Sequence, residues 1–72
     1  MPSIKQDAEL LSEAAAVTVR QERNALLSAS DWTQVADAPV DQAAWAAYRQ
    51  ELRDVTSQEA FPAEVTWPVA PQ

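Results

Sequence analysis

The sequence predicts a small all-α protein: a helical hairpin built from a long N-terminal helix, a loop and a second helix, followed by an extended Pro/Trp-rich C-terminal tail. Three observations predict it. Residues 4 to 29 contain neither Pro nor Gly and are rich in Ala and Leu. Trp45, Tyr48, Leu52 and Val55 fall on one face at a 3.6-residue period. Residues 61–71 carry Pro62, Pro68 and Pro71, a density that rules out a helix or a central strand.

The first helix runs from Ile4 to about residue 29. Ser3 stands at its N-cap position, and Asp7 and Glu9 lie early, where negative charge suits the helix dipole. Ile4, Ala8, Leu11, Ala15, Val19 and Leu26 form one apolar stripe. Leu10, Ala14, Val17 and Leu27 form an adjacent one, so a broad core-facing side is expected. The β-branched run Val17-Thr18-Val19 lowers helix propensity locally and is the point where the helix would break most readily. Heptads are not sustained, so no long coiled coil is demanded. The polar face is mixed in charge rather than basic, which favours a packed helix over a membrane-surface one.

Ser28-Ala29-Ser30-Asp31 ends this helix or starts a turn. The linker that follows draws its turn chemistry from Asp, Ser and Pro, and Pro39 pushes Ala38 out of helical geometry. Some ten residues are long for such a connection, and Trp32 is expected to anchor it by packing between the helices, its indole N–H finding a partner. Asp41, or a residue just before it, caps the second helix, which extends from about residue 42 to residue 55 or 56. Ala43, Ala44, Ala46 and Ala47 raise helix propensity there. Beyond Gln58 the backbone is expected to be extended. Phe61, Val65, Trp67 and Val69 give it enough apolar surface to be buried against the helices or a partner.

Composition narrows function. A chain of 72 residues sits where a single core is only just sufficient, and it has no Cys for disulfides and no His for a zinc site. Oligomerisation or binding to a larger protein is the remaining route to stability. The same absences remove a His base, a thiol nucleophile and a Gly-rich phosphate loop, and no carboxylate stands in an obviously apolar setting. An enzyme is not expected, nor a cofactor. Asp31, Asp37 and Asp41 lack the glycine and periodicity of a calcium loop, and capping and turn formation explain them better. Net charge is −6, concentrated in residues 30–72, so no cationic surface exists for nucleic acid. No apolar run is long enough to span a membrane and no signal pattern opens the chain, which places synthesis in the cytosol.

A series of separated motifs in order carries a resemblance. These are Arg20-x-x-Arg23-Asn24-x-Leu26-Leu27, Ser30-Asp31-Trp32-Thr33-Gln34, Asp37-Ala38-Pro39-Val40, Trp45-x-x-Tyr48-Arg49-Gln50-x-Leu52-Arg53-Asp54, and Phe61-Pro62 followed by Trp67-Pro68-x-x-Pro71. Together they resemble the phage tail assembly chaperone family, and the closing pattern is also similar to the C-terminal part of tailed-phage tail-fibre assembly proteins. Val35-Ala36 departs from the Leu-Pro pair common there, and Glu59-Ala60 from a Gly-containing turn. The resemblance divides the chain into a helical N-terminal extension, residues 1–19, and a chaperone-like domain, residues 20–72. It implies a non-enzymatic protein of phage or prophage origin. Such a protein binds a tail-fibre polypeptide, a trimeric one in the usual case, in the host cytoplasm and helps it fold, trimerise or attach.

The candidate partner-binding residues are Trp32, Trp45, Tyr48, Arg49, Arg53, Phe61, Trp67 and Pro68. For Trp45, Tyr48 and Leu52 core packing is the favoured role. For Arg49 and Arg53 the plain role is a salt bridge with Asp31, Asp37 or Glu51, each contributing at most about 1 kcal/mol. The functional role is bidentate capture of acidic groups or stacking on aromatics. Trp67-Pro68 either docks on a partner or folds back over the hairpin. The rival to a chaperone is a small structural subunit that stays on the virion tail fibre or baseplate, and a second copy of the chain is a further candidate partner. A carboxylate-based hydrolase is the remaining alternative, with no substrate to suggest it.

Overall fold

In a computed structural model the backbone is described for residues 4–71 and the side chains for residues 11–71; the expected Ser3 cap and the roles of Ile4, Asp7, Ala8, Glu9 and Leu10 lie outside the described positions. Helix α1 covers Ile4–Ser30 and helix α2 covers Gln42–Asp54, close to the expected bounds. A 3₁₀ turn, Asp31–Gln34, continues directly from α1, and a second, Val55–Ser57, continues from α2. No strand occurs among the described residues.

Helix α1 runs through Val17-Thr18-Val19 without interruption, as one long helix. Thr18 Oγ1 donates to the Ala14 carbonyl oxygen at 3.1 Å, so the hydroxyl is satisfied within the helix. The propensity cost of three β-branched residues is a few tenths of a kcal/mol each, and the alanine run before them offsets it.

The core is small. Tyr48, Leu52 and Val55 on α2 and its 3₁₀ extension are buried, with Ala16 from α1. Ser30 and Thr33 complete it as buried polar residues with partners close by. Ser30 Oγ lies 2.9 Å from the Leu26 carbonyl oxygen and 3.2 Å from that of Leu27, and Thr33 Oγ1 donates to the Ser30 carbonyl oxygen at 2.6 Å. A buried hydroxyl bonded this way avoids the desolvation penalty of an orphaned one.

The packed side of α1 is narrower than the sequence suggests. Ala16, Val19, Leu26, Leu27 and Ser30 are buried or half-buried, whereas Ala14 is exposed, Leu11 is 72% exposed and Val17 is 51% exposed. Helix lengths explain it: 27 residues of α1 extend about 40 Å and 13 residues of α2 about 20 Å. Only the C-terminal part of α1 therefore has a helix to pack on. The molecule is accordingly elongated, 57 × 19 × 15 Å.

The linker is held at both ends by side chains. Asp41 Oδ1 accepts from the Ala44 amide at 3.1 Å, the N-cap bond expected from sequence. Gln34 Nε2 donates to the Gln42 carbonyl oxygen at 3.3 Å, and Gln42 Nε2 donates to the Val35 carbonyl oxygen. Trp32 does not sit between the helices as expected. It lies to one side and is 50% exposed, because Thr33 fills the buried position next to it. No bond from its indole N–H occurs among the described residues.

Candidate functional site

Arg49 is the side chain that joins the two helices. Its Nη1 donates to the Leu27 carbonyl oxygen and to Ser30 Oγ, both at 2.7 Å, and its Nη2 pairs with Asp31 Oδ1 at 2.7 Å. Leu27 carries one of the last four carbonyls of α1, which have no amide partner further along the helix. A guanidinium there adds a charge-assisted bond to the one from the Ser30 hydroxyl and answers the negative end of the helix dipole. Arg49 is buried and its charge is spent inside the chain. Arg53, one turn on, is exposed and among the described residues reaches only Gln50 Oε1, at 3.5 Å. The helical spacing of the two arginines therefore puts one in the interior and leaves the other on the surface.

Trp32, Trp45 and Tyr48 form a row. The Trp45 ring stands edge-on to Tyr48, with centroids 5.6 Å apart and planes at 86°, and tilted against Trp32 at 6.4 Å and 51°. Both spacings lie in the range favoured by aromatic quadrupoles. Burial falls along the row, from Tyr48 inside, through Trp45, to Trp32 at the surface. Val35, also exposed, follows three residues after Trp32.

The tail returns along α2. Gln58 grips it at two points: Nε2 donates to the Thr66 carbonyl oxygen at 2.8 Å, and Oε1 accepts from the Thr66 amide at 2.9 Å. One side-chain amide thus supplies the pair of bonds a neighbouring strand would supply. Next to the grip is an open groove of about 320 Å³, walled by Trp67 and Pro68 on one side and by Glu51 and Asp54 of α2 on the other. The turn at Phe61-Pro62, joined by a cis peptide bond, meets α1 instead. Arg20 lies over the Phe61 ring, 5.6 Å from its centroid, beside a second groove of about 470 Å³ that contains Ala16 and Val17.

Apart from Arg49 in the interior and Arg53 on the surface, the sequence-predicted residues occupy three places. Trp32, Trp45 and Tyr48 stand together, Trp67 and Pro68 face α2 in the groove, and Phe61 lies on α1. Sequence reasoning missed Gln58, because no periodic pattern marks a side chain that grips backbone eight residues away. It also treated Ser30 as turn chemistry alone and assigned no burial to Thr33. Asp31 and Asp41 are occupied by Arg49 and by the α2 cap.

The fold and these features define a class: a two-helix scaffold with open grooves and an exposed tryptophan, the equipment of a protein-binding module. No helix among the described residues is long and apolar enough to cross a membrane. The chain belongs to the phage tail assembly chaperone protein family, whose model matches residues 16–72. No curated protein and no solved structure matches it.

Proposed function

We propose that this chain binds a phage tail-fibre polypeptide in the infected cell and assists its folding, trimerisation or attachment, without catalysing a reaction. Family membership supports a role in tail assembly. The observation that carries the docking surface is Trp32, which is 50% exposed and packs against Trp45. A large aromatic held from behind loses little freedom on binding, which is what a binding anchor needs. In this reading Trp32, Trp45 and Arg53 meet the fibre directly. Trp67 and Pro68 offer it the groove along α2. Tyr48 and Arg49 act by holding the row in place, and Phe61 by seating the tail on α1. Residues 20–72 form the binding domain, and residues 1–19 extend it.

Co-expression of the fibre protein of the same phage, with and without this chain, tests the proposal. More soluble trimeric fibre in its presence is expected, and equal yields would sink the idea. Mass spectrometry of purified virions then separates the two modes of action. Absence from the particle marks a chaperone, whereas presence at fibre-like stoichiometry marks a structural subunit.

A further inference from the structure

The groove between the tail and α2 has two chemically different walls. Glu51 and Asp54, three residues apart, lie on one face of α2 and form an acidic wall. Trp67 and Pro68 form an apolar wall, set in place by the Gln58 grip on Thr66. Both carboxylates are exposed, and neither joins an ion pair among the described residues. Asp54 Oδ1 accepts from Gln50 Nε2 at 3.2 Å, whereas Asp54 Oδ2 and both Glu51 oxygens have no hydrogen-bond partner among the described residues.

The arginines of the chain are committed elsewhere. Arg20 lies over Phe61, Arg23 holds Asn24, Arg49 is bound to the end of α1 and Arg53 reaches Gln50. Residues 30–72 carry seven carboxylates against two arginines, so the complementary charge is one that a partner brings. The walls select which cation. A divalent metal takes about six or more oxygen ligands, and no group of three side chains able to hold one occurs among the described residues. An indole wall attracts a guanidinium instead, which is flat, stacks on Trp and presents N–H donors at its edge to carboxylates. An ammonium is a point charge that one carboxylate satisfies, while the guanidinium fork can address Glu51 and Asp54 together.

We infer that this groove is the docking site for an arginine side chain of the tail-fibre polypeptide, its guanidinium lying between the Trp67 ring and the carboxylates of Glu51 and Asp54. The inference rests on the proposed fibre binding and names the chemistry the fibre presents. Two measurements test it. In a heteronuclear NMR titration with the peptide amide acetyl-Gly-Arg-Gly, the Trp67 indole N–H and the amides of Glu51 and Asp54 should shift saturably, with a Kd on the order of ten millimolar. The citrulline analogue, similar in shape but uncharged, should leave them in place, and the lysine analogue should bind several-fold more weakly. Combining Glu51→Gln with Asp54→Asn should weaken the arginine peptide roughly tenfold, and Trp67→Leu roughly threefold, while far-UV circular dichroism stays that of the wild type. A citrulline or lysine peptide that binds as well as the arginine peptide, or a double variant that binds it unchanged, would overturn the inference. In pull-down of the fibre protein, the double variant should bind roughly tenfold more weakly than the wild type. Equal capture by both would overturn the inference and leave the proposed function standing, whereas no capture by the wild type would overturn both.

Discussion

Arg49 and Leu27 stand 22 positions apart in sequence, yet the guanidinium of the first donates a 2.7 Å hydrogen bond to the carbonyl oxygen of the second. The bond ties the middle of α2 to the end of α1. It also explains why an arginine is tolerated in so small an interior: one Nη nitrogen serves Leu27 and Ser30, and the other serves Asp31. Asp31 is 66% exposed, so the ion pair itself contributes little after solvent screening. The bonds to the helix end matter more, because they are charge-assisted, lie in the interior and join α2 to α1.

Arg49→Ala is therefore expected to cost about 2–3 kcal/mol, a large part of the stability of a domain this size. Arg49→Lys should recover only part of that, since a single ammonium cannot present a planar fork to three acceptors. Urea denaturation monitored by circular dichroism gives both values. Asp31→Asn, by contrast, should shift the midpoint only slightly.

Leu52 is fully buried, and Val55 follows it in the same state. Leu52→Ala removes three heavy atoms from a core with few others, at a cost of about 2–4 kcal/mol. That approaches the whole stability of the chain, so the variant should be largely unfolded or melt tens of degrees lower. Val17→Ser on the exposed side of α1 should leave the melting temperature within about 2 °C, by differential scanning calorimetry.

The N-cap of α2 is a single bond from the Ala44 amide to Asp41. Asp41→Ala should cost about 1 kcal/mol and lower the melting temperature by roughly 4–8 °C. Asp41→Asn keeps an acceptor in place and should be close to neutral. If both substitutions lowered the melting point equally, the charge rather than the cap bond would be responsible.

The helix bounds were legible because they depend on local chemistry: an uninterrupted stretch up to residue 29, Pro39, and a cap at Asp41. The face formed by Tyr48, Leu52 and Val55 was legible for the same reason, as spacing alone selects it. How much of α1 would be covered was not. Leu11 and Val17 have the periodicity of core residues, but their burial depends on whether another helix reaches them, and α2 is too short. Nor does spacing tell Arg49 from Arg53, since both flank the apolar face at helical intervals. The end of α1 decides between them by offering acceptors to one. Trp32 was misplaced because size favours burial, while Thr33 fits the space and carries its own hydrogen bond. Which aromatic meets a partner is a property of two molecules, and one sequence holds only half of it.

Gln58 holds Thr66 through both ends of its amide, so Gln58→Ala should release the tail without unfolding the hairpin. In hydrogen exchange the Thr66 amide should lose its protection while those of α2 keep theirs. Trp67, partly covered beside Glu51 and Asp54, should shift its fluorescence to the red as water reaches it. Gln58→Glu keeps the acceptor for the Thr66 amide but places a carboxylate against the Thr66 carbonyl oxygen, and should release the tail nearly as well. Retained protection in both variants would mean that the Trp67-Pro68 contact with α2, not the grip, holds the tail.

Trp32 and Trp45 touch, yet their replacements should separate stability from binding. Trp32 is half exposed and tilted against its neighbour, so Trp32→Ala should lower stability by only about 1 kcal/mol. Trp45 also packs edge-on against the buried Tyr48, so Trp45→Ala should cost about 2–3 kcal/mol. If Trp32 is the anchor for the fibre polypeptide, its removal should weaken binding by about 2 kcal/mol or more, at least thirtyfold, while the fold remains intact. Pull-down of the fibre protein and melting curves on the same two variants supply both readouts. A Trp32→Ala chain that binds the fibre as well as the wild type would move the docking surface away from the aromatic row. The groove between Trp67 and α2 would then be the next place to mutate.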